Sequence, residues 1–159
     1  EPDTSDLKLT LACPLWQKFA KLEARDYLLA RCQDASRQRQ YQALDALGRI
    51  SAPRTDPPDE KLLGVIGPLL KDQDLNVRRM ALVVLGSYQG EAVVERLVPL
   101  LGDAQPMIVA EATNRLLAQS DKEMLRRVLQ QTAEHTTDVK LQRQAKTLLD
   151  RLGPAKPSP

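Results

Sequence analysis

Side-chain chemistry needs the right groups at the right spacing, and few groups in this chain qualify. The single histidine, His135, stands in Glu134-His135-Thr136. A general base needs a nucleophile or carboxylate presented to it, and a metal needs several converging ligands. The residues around His135 offer neither, so a solvated loop histidine is expected. Two cysteines, Cys13 and Cys32, fall at opposite ends of a segment whose apolar pattern predicts a helix over 14–32. At ~1.5 Å per residue the ends of such a helix lie about 28 Å apart, whereas a disulfide needs Cα atoms roughly 4.4–6.8 Å apart. A bridge would require a break near Asp26; two reduced, inert thiols are the expectation. The carboxylate pairs Asp72/Asp74 and Asp56/Asp59 flank loops, where turn and capping duty explains them better than acid–base catalysis. Arg78-Arg79, Arg126-Arg127, Arg37, Arg39 and Arg143 could line one surface, but Glu95, Asp103 and Glu111 interrupt any stripe, so a solvated face is expected. No glycine-rich phosphate cradle is present, and Gly64, Gly67, Gly86 and Gly90 read as packing or turn glycines. These residues predict no catalytic centre, no metal site and no cofactor.

The elements that would position such groups are announced by a repeat. Residues 62–86 read LLGVIGPLLKDQDLNVRRMALVVLG and residues 93–117 read VVERLVPLLGDAQPMIVAEATNRLL. Pro68-Leu69-Leu70 recurs as Pro99-Leu100-Leu101, Asp72 as Asp103, Val77 as Ile108, Ala81 as Ala112 and Leu85 as Leu116. A fixed step of this size marks a repeat architecture. Helix pairs are predicted at about 59–71 with 75–88, 91–102 with 106–118, and 121–133 with 138–152. A first pair joins the 14–32 helix, with Trp16, Ala20, Ala24, Tyr27 and Leu28 along one side, to a helix at about 36–50 carrying Ala43, Leu44, Leu47 and Ile50. Short connections force neighbouring helices antiparallel. Ser36, Asp74 and Asp138 are candidate N-caps, and Pro106 suits a first helical turn. Pro68 and Pro99 fall late in their helices, so a kink or an early end is expected in both copies.

The chain has 159 residues, 42% hydrophobic and 28% charged, with aromatics at only 3%. This is a folded composition whose core must be Leu, Val, Ile and Ala, which suits helix packed on helix. The formal net charge of +2 is small for a dedicated nucleic-acid binder. No apolar run approaches the length of a membrane span. The chain starts at Glu1 rather than Met, which suggests a fragment or a processed form; the reading leans to a cytoplasmic chain and leaves a processed exported form open. Residues 1–13 read as an extended or flexible arm, 14–152 as the repeat domain with pairs at about 14–50, 59–88, 91–118 and 121–152, and 153–159 as a disordered tail or linker. The loop from Pro53 to Pro58 is the longest insertion between helices and a candidate mobile or functional loop.

Leu69 through Gly86, with the pattern LeuLeu-x-Asp-x-Asp-x-x-ValArg-x-x-Ala-x-x-x-LeuGly, resembles a HEAT repeat, and more narrowly the short repeats of bilin-lyase-type HEAT proteins. Residues 60–118 carry the resemblance over two repeats. It implies an all-α fold, an α-solenoid of about four antiparallel helix pairs, or HEAT-like superhelix. Val77, Ala81, Val84 and Leu85 share one face at helical spacing, a face that only stacked neighbours can cover. The resemblance also implies a ladder between repeats formed by Asp72, Asp74 and Arg78. Val109 and Ala104-Gln105 replace its members in the next pair, so the ladder should break there. In such a solenoid the second helices line the inner surface. Opposite the buried face this places Asp45, Arg79, Val83, Asn114, Arg143 and Thr147, the candidate partner-binding residues.

The leading expectation is therefore a non-enzymatic HEAT-like scaffold or adaptor that binds a protein or peptide partner on its helical surface. A bilin-lyase-like or chaperone-like factor is the first alternative, which pigment binding would reveal. A nucleic-acid-binding HEAT-like domain is the second; the small net charge speaks against it. No small-molecule substrate is evident.

Overall fold

The computed structural model describes residues 22–49 and 57–153. Cys13, Trp16, Ala20, Ile50, Asp56, the N-terminal arm, most of the Pro53–Pro58 loop and the tail beyond Gly153 lie outside the described residues. Among the described residues eight α-helices follow one another: α1 Leu22–Arg31, α2 Arg37–Arg49, α3 Glu60–Leu69, α4 Leu75–Leu85, α5 Glu91–Leu97, α6 Pro106–Leu117, α7 Lys122–His135 and α8 Val139–Leu152. A short 3₁₀ helix, Val98–Gly102, continues α5. No strand occurs among the described residues. The described chain divides into two compact units, residues 22–49 with 58–87, and residue 57 with 88–153.

In the first unit α1 packs on α2 and α3, and α4 packs on α2 and α3. The core is aliphatic, as the composition predicts: Leu28, Leu29, Ala43, Leu44, Leu62, Ile66, Ala81, Leu82 and Leu85 are fully buried. Gly48 in α2 lets α4 come close, since a Cβ there would sit 3.5 Å from Val83 Cγ1 and 3.6 Å from Met80 Cε. Cys32 is a free, buried thiol, and burial pushes it up to about 12. So little thiolate at neutral pH makes it inert. In the second unit α7 packs on α8 and α5, while the 3₁₀ turn packs against α6 and α8. Val93, Val94, Leu97, Leu101, Ile108, Ala112, Leu116, Leu125, Leu129 and Ala145 fill this core.

Both late prolines end their helices early. A proline offers no N–H and crowds the carbonyl four residues back. After Pro68 the bonding tightens to three-residue steps, from Leu70, Lys71 and Asp72 N–H to the carbonyls of Gly67, Pro68 and Leu69. At Pro99 the same tightening forms the 3₁₀ turn, which closes with Asp103 N–H on Leu100 O at 3.1 Å.

Asp74 and Asp138 cap as expected, accepting from Asn76 N at 2.8 Å and from Lys140 N at 2.8 Å. Asp59 and Asp121 cap α3 and α7 in the same way. At α2 the Ser36 carbonyl accepts from Gln40 N, but the side-chain acceptor is Asp34, which takes Ser36 N–H at 2.9 Å. That i to i+2 turn recurs before every second helix: Asp72 takes Asp74 N–H, Asp103 takes Gln105 N–H, and Thr136 Oγ1 takes Asp138 N–H. A short polar side chain closing its own backbone turn supplies the reversal each pair needs.

Two local expectations change. His135 is not a loop residue: it ends α7, exposed, with Nδ1 2.8 Å from Gln131 O. Gly64 is not a packing glycine, since nothing lies within 4 Å of where its Cβ would be.

Candidate partner-binding groove

The groove on the second unit is built by the second helices of its two pairs. Pro106, Val109, Ala110, Thr113 and Asn114 of α6 face Lys140, Gln144 and Arg151 of α8 across an open depression of about 450 Å³. The spacing explains the lining. Positions 106, 109, 110, 113 and 114 form one flank of a helix, and 140, 144 and 151 form one flank of another. The buried faces, Ile108, Ala112 and Leu116 on α6 and Ala145 and Leu148 on α8, point away from it.

The polar groups of this groove are largely unspent. The amides of Asn114 and Gln144 and the Arg151 guanidinium make no side-chain hydrogen bond to another described residue. Thr113 donates its hydroxyl to Val109 O at 2.8 Å and keeps its acceptor lone pairs. Lys140 Nζ donates to the carbonyl of Asp103. That acceptor is neutral, so the ammonium charge is not cancelled by it. Two cations and no carboxylate therefore line the depression.

Among the sequence-derived candidates, Asn114 lies in this groove. Arg143 and Thr147 are exposed on α8, with Thr147 Oγ1 bonded to Arg143 O at 2.9 Å, and stand outside its lining. In the first unit Arg79 is exposed, Asp45 is ion-paired with Arg49 at 2.7 Å, and Val83 is half-buried against Gly48. The sequence reading carried one helical slot from pair to pair. A furrow between adjacent helices is instead lined by opposing flanks, one phase on α6 and another on α8. Lys140, Gln144 and Arg151 occupy slots that the repeat alignment did not single out.

Each residue expected in the aspartate–arginine ladder, Asp72, Asp74 and Arg78, has a defined partner. Arg78 Nη1 donates to the backbone carbonyls of Asp72 at 2.8 Å and Gln73 at 3.1 Å. The Asp72 carboxylate is held by Arg37 of the preceding pair at 2.9 Å. The bond from Arg37, then the Asp74 N–H, keeps the Asp72 carboxyl below its ordinary range. In the third pair, where Val109 stands in the arginine slot, Lys140 of α8 reaches the Asp103 carbonyl, the counterpart of the carbonyl that Arg78 holds. The position lost from one pair is filled from the next.

A second concavity, about 640 Å³, opens beside the turns between pairs and is lined by Pro57, Gln89, Gly90, Gln119, Asp121 and Arg127 among others. Its side chains are engaged in building those turns. Gln119 donates to Tyr88 O at 3.0 Å and accepts from Gly90 N at 3.1 Å; Gln89 accepts from Ser120 N at 2.8 Å. Asp121 caps α7, and Arg127 pairs with Glu91 at 2.7 Å.

No group of three or more His, Cys, Asp or Glu side chains converges as metal ligands among the described residues. No described helix is long and apolar enough to cross a membrane. A family model of HEAT repeats matches residues 25–118, more than half of the chain. The chain belongs to the HEAT-repeat family. Its fold is an all-helical repeat fold of the α-solenoid class. A designed armadillo repeat protein solved in complex with the peptide (KR)4 is similar at 19% identity and a TM-score of 0.57, with 94% of this chain and 74% of that chain covered. A second designed armadillo repeat protein is similar at 19% identity and a TM-score of 0.54, with 94% and 74% covered. An engineered protein follows at 21% identity and 0.53, covering 93% and 71%. At such identities the likeness is one of fold. No curated protein sequence matches the chain at a significant level.

Proposed function

We propose that this HEAT-repeat chain is a non-enzymatic scaffold or adaptor that binds a protein or peptide segment along the exposed side of its second helices. The observation that carries the reading is the groove between α6 and α8, where Asn114, Gln144 and Arg151 present hydrogen-bonding groups that the fold itself leaves unused. An extended segment offers backbone N–H and C=O groups at regular intervals, which side-chain amides can meet from either end of their donor–acceptor pair. A similar designed armadillo protein holds a peptide, which supports the class of ligand. Asn114 is the central contact in this proposal. Asp45, Arg79 and Val83 on the first unit, with Arg143 and Thr147 on α8, are further candidate contacts on the second helices. Nucleic acid is disfavoured by charge pairing, since Arg37, Arg115, Arg126 and Arg127 each face a carboxylate.

A photo-crosslinking amino acid placed at Asn114, and separately at the exposed Gln130 of α7, tests this. In cells of the source, the residue-114 probe should yield a discrete adduct that the residue-130 probe does not. Equal labelling at the two positions would remove the groove as the binding surface.

A further inference from the structure

From the charge of the groove we infer that its occupant is an acidic, extended peptide segment of another protein; this rests on the scaffold reading above and specifies its partner. The lining carries Lys140 and Arg151 and no carboxylate. Lys140 spends one N–H on the neutral Asp103 carbonyl, which steers its ammonium without cancelling the charge. Arg151 has no ion pair among the described residues, and its guanidinium is the group best suited to a two-pronged grip on a carboxylate. Between the two cations Gln144 and, across the groove, Asn114 and Thr113 offer neutral hydrogen-bonding groups that suit a peptide backbone. On the α6 side Pro106, Val109 and Ala110 are short and apolar, leaving room for main chain where bulky side chains would block it.

The dimensions agree with a short extended segment. Lys140 and Arg151 lie eleven residues apart on α8, about 16 Å along its axis. A segment with carboxylates some five residues apart satisfies both at once. The similar designed protein holds a peptide of alternating Lys and Arg. The charge of the present groove calls for the opposite ligand.

The test uses the full chain and three labelled probes: an octapeptide of alternating Asp and Glu, the basic octapeptide (KR)4, and a single-stranded oligodeoxynucleotide of similar charge. Fluorescence anisotropy at low salt should show saturable binding of the acidic peptide and weaker binding of the other two. Added salt should weaken the acidic complex, as exposed charge pairs require. Arg151→Glu with Gln144→Glu should cost the acidic peptide about tenfold or more in affinity and should raise the affinity for (KR)4. Neither residue supports the core; Glu in the last turn of α8 opposes the helix dipole, so the variant should melt within a few degrees of the parent. Tighter binding of the oligonucleotide than of the acidic peptide overturns the inference, as does a variant that leaves the acidic affinity unchanged. Crosslinking at Asn114 without acidic-peptide binding also overturns it, while leaving the broader scaffold reading intact.

Discussion

Gln119→Leu should destabilise the second unit by about 2 kcal/mol. Gln119 is 1% exposed and ties together two turns 31 residues apart, donating to Tyr88 O at 3.0 Å and accepting from Gly90 N at 3.1 Å. Leucine keeps nearly the same volume and shape, so packing changes little. Both hydrogen bonds go. Each has a net worth of about 0.5–1.5 kcal/mol, and more where the abandoned partner stays dry. Burying one amide fewer offsets part of the loss, which leaves about 2 kcal/mol. For a chain of this size that corresponds to a fall in Tm of about 4–8 °C. Gln89→Leu is the control. Gln89 bonds Ser120 at the same junction, but Ser120 is exposed and water can replace the lost acceptor, so the fall should stay near 1–2 °C. Circular dichroism melts read both numbers, and hydrogen exchange supplies the local check: the Gly90 amide should lose protection in Gln119→Leu. Equal melts for the two variants, or an unchanged Gly90 exchange rate, would refute the reasoning.

Glycine substitutions should split by environment. Gly64→Ala enters open space in α3 and should raise stability by about 0.5–1 kcal/mol. Gly102→Ala should lower it by about 1 kcal/mol, because its Cβ would sit 2.9 Å from Asp138 Oδ2 and disturb the cap of α8; denaturant midpoints distinguish the two. Cys32 should resist a thiol reagent in the native chain and react only on unfolding, given its burial and a thiol pushed up to about 12; reaction with the folded chain would contradict the placement. Three aspartates are held below their ordinary value. Asp34 is held by the Ser36 N–H and then Arg31, and Asp72 by Arg37 and then the Asp74 N–H. At Asp59 burial pushes upward but is outweighed by Arg25 and the Leu62 N–H. A carboxyl depressed by folding adds stability above its unfolded value, near 3.9, and loses it as pH falls through the folded value. Tm should therefore stay level from pH 7 to 5 and drop below about pH 4, and Asp34→Asn/Asp72→Asn should flatten that acid limb.

The helices were legible because their signals are local. Proline at 68 and 99 stops α3 and α5 wherever they pack, since the missing N–H is a property of the residue. Asp74 and Asp138 cap from two or three residues away. The 31-residue step set the register of the buried faces, and Val77, Ala81, Val84 and Leu85 are buried as their spacing predicts. Asp34 and Thr136 as turn closers were visible in principle, through alignment to Asp72 and Asp103, but only once the pair boundaries are known.

The groove was less legible, for a geometric reason. A single helix exposes a crest and two flanks, and sequence periodicity separates buried from exposed without saying which flank meets a neighbour. Packing of the second unit turns one flank of α6 toward the opposite flank of α8, and so places Lys140, Gln144 and Arg151 with Asn114 in one depression while Arg143 and Thr147 stand outside its lining. Long-range partners behave likewise. The 31-residue echo makes Asp72 and Arg78 look like a pair, while packing brings Arg37, from 35 residues away, onto the Asp72 carboxylate. By itself the sequence determined an all-helical repeat, its caps, its breaks and its buried stripe, because those follow from bonds within a few residues and from a period. Tertiary structure alone decided the long-range partners, such as Arg37 with Asp72 and Arg127 with Glu91, because those pairs depend on distances between residues more than 30 positions apart along the chain.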